Sequence, residues 1–83
     1  MRMTLEDWKN GWVGVDIELT QREIDVLIDR LQMIKADLRQ HFHLTSDYKG
    51  SGGVGMVTLS QAPPGVLHNA DISGRALAPG EEV

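Results

Sequence analysis

The amino-acid sequence predicts an α+β fold. One amphipathic helix is expected on one face of a three-stranded sheet, in the order strand, helix, strand, strand, with an irregular C-terminal tail. Three observations carry this. Trp12 to Leu19 alternates with period two; Ile24 to Leu38 repeats at helical spacing; and two further extended runs flank a glycine-rich loop. A helix that follows strands and shields one sheet face is the simplest two-layer arrangement for such a pattern.

The first element is "WVGVDIEL". Val13, Val15, Ile17 and Leu19 share one face, and Trp12, Gly14, Asp16 and Glu18 share the other. Eight residues of alternation indicate a half-buried strand. The residues before it, Met1 to Gly11, read as a polar lead-in ending in a Lys9-Asn10-Gly11 turn.

Thr20 opens the helix. Thr20-Gln21-Arg22-Glu23 has the form of a capping box, with Leu19 and Ile24 placed as a hydrophobic staple. Ile24, Leu27, Ile28, Leu31, Ile34 and Leu38 then make one apolar stripe. No proline or glycine interrupts residues 20 to 40, and Lys35 and Arg39 suit a negative helix end.

His41 to Asp47 is the second expected strand. Phe42 and Leu44 point one way, and His41, His43 and Thr45 the other. Tyr48 to Gly53 forms a loop of turn residues. Val54 to Ser60 is the third strand, with Val57 and Leu59 toward the helix and Met56 and Thr58 away from it. The short loop makes the last two strands an antiparallel hairpin. If the first two strands are neighbours, they run parallel through a right-handed crossover. Residues 1–60 then form the domain, and 61–83, with Pro63, Pro64, Pro79 and Gly80, a tail.

Composition narrows the function. A domain of 83 residues buries only roughly 60% of its extended surface, so a metal or a partner subunit is a natural support. The absence of cysteine removes disulfides, thiolate metal sites and thiol nucleophiles. Twelve acids against eight bases, net −4, argue against nucleic acid. No apolar run approaches the ~20 residues of a membrane span, and Met1-Arg2-Met3-Thr4 does not open a signal peptide. A soluble cytoplasmic protein is the expectation.

One helix covers one sheet face. The other should carry Trp12, Asp16, Glu18, His41, His43 and Thr45, the candidate partner-binding residues. Three readings of the histidine pair compete. It can belong to a solvated polar face. It can belong to an interface, where tryptophan is favoured near the centre. Or His41 and His43, ~7 Å apart on one strand face, can hold zinc, with Asp16 or Glu18 as candidates for the third and fourth ligands. An enzyme is not expected. Ser46, Ser51, Ser60 and Ser73 lack a nucleophile-elbow spacing, and Gly50 to Gly55 leads into a strand rather than a phosphate-binding helix.

These residues also carry a resemblance. "WVGVDIEL", the helical "EIDVLIDRLQ", and His41-Phe42-His43-Leu44 with Ser46-Asp47 and the following glycines resemble the bacterial family of immunity protein 32 in polymorphic toxin systems. The similarity covers residues 8–60. The two strands are its specific part, since many amphipathic helices would fit the middle. It implies a non-enzymatic protein that neutralises a cognate toxin inside the producing cell, with Trp12, Asp16, His41 and His43 as motif positions. The tail from Gln61 departs from that pattern and is a second candidate for partner contact. A homodimer, paired through an edge strand or the uncovered sheet face, would add burial that a short chain lacks.

Overall fold

The computed structural model describes residues 1–72; the expected tail beyond Ile72 lies outside the described residues. Among the described residues the fold is α+β, with one helix and four strands: β1 (Arg2–Asp7), β2 (Val13–Glu18), α1 (Gln21–Ala36), β3 (His41–Thr45) and β4 (Met56–Ser60). No helix among the described residues is long and apolar enough to cross a membrane.

The sheet differs from the expected one. Instead of three strands there are two sheets of two, β1 with β2 and β3 with β4, both antiparallel. The expected parallel neighbour for the Trp12–Leu19 segment is not used. Its partner is Arg2–Asp7, in place of the expected polar lead-in. The local pairing is favoured because a short turn closes at a lower entropy cost than a crossover through a helix. Three side chain and backbone bonds shape that turn. The Lys9 amide donates to Asp7 Oδ1 at 2.8 Å and the Trp12 amide to Asn10 Oδ1 at 3.0 Å. The Trp8 amide donates to the Trp12 carbonyl at 3.2 Å. Gly11 sits at φ +94°, where a side chain would be strained.

Register fixes the faces. Met3 opposes Ile17, Leu5 opposes Val15 and Asp7 opposes Val13, so these side chains share one face of the first hairpin. Arg2, Thr4, Glu6, Gly14, Asp16 and Glu18 share the other. In the second hairpin Phe42 opposes Leu59 and Leu44 opposes Val57; these four are half-buried. His41, His43, Thr45, Met56, Thr58 and Ser60 form its exposed face.

The α1 start follows the sequence closely. The Glu23 amide donates to Thr20 Oγ1 at 3.2 Å, and the Thr20 amide donates to Glu23 Oε1 at 3.0 Å, a complete capping box. The helix ends earlier than its apolar repeat, at Ala36. Asp37 is extended and accepts at Oδ1 from the Arg39 amide at 2.9 Å and from Arg39 Nε at 3.2 Å. This local bonding competes with another helical turn. Arg39 therefore pairs with Asp37 beyond the helix rather than capping it, and Lys35 is the basic residue of the last turn.

The core is slight. Ile34, 7% exposed, is the one buried hydrophobic residue among those described. At 100° per residue the three least exposed helical residues, Glu23, Leu27 and Ile34, fall within about 40° of each other. The stripe runs on from there through Leu31 and Ile24 to Ile28, an arc of about 120°. The rest of the fold covers only one edge of it. Ile24, Ile28 and Leu31 remain 44%, 51% and 46% exposed. On the covered side an apolar cleft of about 210 Å³ separates α1 from β3, lined by Leu19, Val26, Leu27, Phe42 and Leu44 among others.

Candidate functional site

Both hairpins use the same device at their loop ends. The Trp8 ring lies over Gly14, so close that a Cβ there would stand 3.2 Å from Trp8 Cζ2. Tyr48 lies over Gly55, with Cε1 3.2 Å from the corresponding position. Each glycine gives an aromatic ring room to rest on the strand. Tyr48 itself sits at φ +58°, held by its amide donating to Ser46 Oγ at 2.9 Å, and the Ser46 amide donates to the Gly55 carbonyl at 2.9 Å. These contacts close the loop and set the β3–β4 register.

That register builds the exposed histidine face. His43 opposes Thr58, and its Nδ1 lies 2.8 Å from Thr58 Oγ1. His41 stacks edge-on against His43, ring centroids 5.1 Å apart and planes at 73°. Thr45 and Met56 extend the face toward the loop, and Ser60 closes the other end beside His41. It carries no carboxylate, lysine or arginine.

The other expected site residues lie elsewhere. Asp16 and Glu18 belong to β2, opposite Thr4 and Arg2, in the other sheet. Trp12 precedes β2 and is 72% exposed. The expected single face holding Trp12, Asp16, Glu18, His41, His43 and Thr45 is thus divided between two sheets, because the strands that carry them are not neighbours. The division also bears on zinc. Among the described residues no three His, Asp or Glu side chains converge. His41 and His43 supply two donors, short of the three protein ligands that a catalytic zinc site uses, and Asp16 does not complete the set.

Thr58 is the partner of His43 that strand reading alone left unassigned. The signal was present: an antiparallel hairpin turning within Ser46 to Gly55 places Thr58 across from His43. A second group that sequence reasoning missed surrounds Glu23. The amine of Met1 lies 2.8 Å from Glu23 Oε1, which ties the start of β1 to the start of α1. That amine, followed by the Thr20 amide and hydroxyl, lowers the Glu23 carboxyl from 4.5 to about 2. Where the two hairpins approach, Met1, Arg2 and Met3 face Thr45, Ser46 and Asp47 across a polar cleft of about 360 Å³.

Comparison with protein families, curated proteins and solved structures finds no family model, no curated protein and no structure that matches this chain.

Proposed function

We propose that this chain is a small non-enzymatic binding protein that acts by occlusion, and that its task is the neutralisation of a cognate bacterial toxin. The observation that carries the reading is the β3–β4 face: His41, His43, Thr45, Met56, Thr58 and Ser60 stand together, exposed and free of carboxylate, lysine and arginine. The His43–Thr58 contact and the edge-on imidazole pair order this face before any partner arrives. Pre-ordered side chains lose less entropy on association. Imidazole and hydroxyl groups offer directional hydrogen bonds without the desolvation cost of full charges. The net charge of −4 favours encounter with a basic partner such as a nuclease toxin.

The test is co-expression with the product of the reading frame adjacent to the gene. Growth arrest by that product, relieved by this chain and no longer relieved by His43→Asp or Thr58→Arg, is the expected result. Relief undiminished by both substitutions would reject the histidine face as the contact surface. An adjacent product that is harmless alone would reject the toxin reading.

A further inference from the structure

We infer that this chain functions as a two-fold homodimer in which the apolar face of each β1–β2 hairpin covers the free edge of the partner's α1 stripe. This goes beyond the toxin-binding reading and uses a different surface.

The first observation is area. A folded monomer of 9.2 kDa should expose about 4,900 Å². The chain exposes 7688 Å². Residues 61–83, which follow β4, can present at most about 3,300 Å² as open chain, and a folded unit of residues 1–60 should expose about 4,000 Å², so an excess of at least about 400 Å² remains on the helix and strands.

The second observation is where the apolar surface lies. Leu5, Val13, Val15 and Ile17 on the hairpin face are 45%, 53%, 48% and 36% exposed, although cross-strand pairing brings them onto one face with Met3. A two-stranded hairpin is at best marginally stable without a covering layer. The α1 stripe is bare along Ile24, Ile28 and Leu31. A sheet face lacking a helix and a helix lacking a sheet complement each other across a two-fold axis, twice.

Charge selects this pairing over hairpin on hairpin. The hairpin face carries one charged residue, Asp7, and the α1 stripe carries one, Lys35 between Ile24 and Ile28. Hairpin against hairpin sets Asp7 against a like charge in the same patch. Hairpin against helix presents opposite signs. A second copy is favoured over a foreign protein because cover is needed continuously. With one buried hydrophobic residue among those described, a chain waiting for an occasional partner would lack a core between encounters.

Sedimentation of the full chain at micromolar concentration tests this. A species of twice 9.2 kDa is expected, with a melting temperature that rises with protein concentration. Ile28→Asp should weaken the dimer at least 100-fold, while His43→Asp leaves it intact. Ile28 is half-exposed in a single copy, so a monomeric fold would tolerate the change. A 9.2 kDa species melting at a concentration-independent temperature overturns the inference. So does a dimer that His43→Asp dissociates and Ile28→Asp does not. The first failure leaves the co-expression test of the histidine face unaffected, whereas the second assigns that face to the contact between copies.

Discussion

Truncating Ile34 to alanine removes three carbons from a side chain that is 93% shielded, its exposure being 7%. At ~0.8 kcal/mol per buried CH₂ the transfer loss is about 2 kcal/mol. The cavity contribution belongs at the low end, because most neighbours on α1 are half-exposed and free to close in or hydrate. Val26, on the same helix, is 47% exposed and loses two carbons on truncation, which gives less than about 1 kcal/mol. Urea unfolding followed by circular dichroism at 222 nm, at one protein concentration, measures both. The expected order is Ile34→Ala well above Val26→Ala with an unchanged m-value. Equal losses would refute the placement of the core at Ile34. Ile28 provides a third point. At 51% exposure a single copy predicts about 1 kcal/mol for Ile28→Ala, whereas burial by a second copy raises it to about 2 kcal/mol.

Thr20→Ala deletes the acceptor for the Glu23 amide and should cost about 1 kcal/mol in the same assay, with Thr20→Ser retaining most of it. The Glu23 carboxyl is lowered in the folded chain, so its stabilisation is complete above pH 4.5 and is lost as pH falls toward about 2. Asp37, lowered by the Arg39 amide and then the Arg39 side chain, acts in the same direction. An acid titration of the 222 nm signal should therefore fall below pH 4.5, and Glu23→Gln should flatten part of that fall. Gly14→Ala places a Cβ against Trp8, which is 54% exposed and free to swing outward. In a Trp12→Phe background the emission of Trp8 should shift to the red, with stability changed by less than about 1 kcal/mol.

Local patterns were legible where a local cause fixes them. The capping box at Thr20 and Glu23, the alternation of Val13 to Glu18, and the opposed faces of Phe42 and His43 each depend on spacing within a few residues. What failed was pairing. "RMTLED" alternates as regularly as β2, and Asn10-Gly11 is a hairpin signal, yet Arg2, Glu6 and Asp7 made the segment read as polar. Without β1, the strand of Trp12 to Leu19 had to be given β3 as neighbour. The shared face of carboxylates and imidazoles followed from that neighbour and separated with it. The helix stop at Asp37 was hidden for another reason: Leu38 keeps the apolar repeat, while the side chain bond to the Arg39 amide ends the helix. The His41–His43 juxtaposition needed only strand periodicity, and so it survived the change of sheet.

Both sheets among the described residues join segments that are adjacent along the backbone, and no strand among them is paired across the helix. Such a topology assembles from the inside of each loop outward. Hairpins form in about 1 to 10 μs, and closing about ten residues takes only about 10 to 100 ns. The Trp8-to-Trp12 connection is the tighter of the two and should zip first, with the Ser46-to-Gly55 loop following. Kinetically, the slow event is then the docking of preformed pieces, and Trp8, which rests on Gly14 within the first hairpin, should report the fast phase.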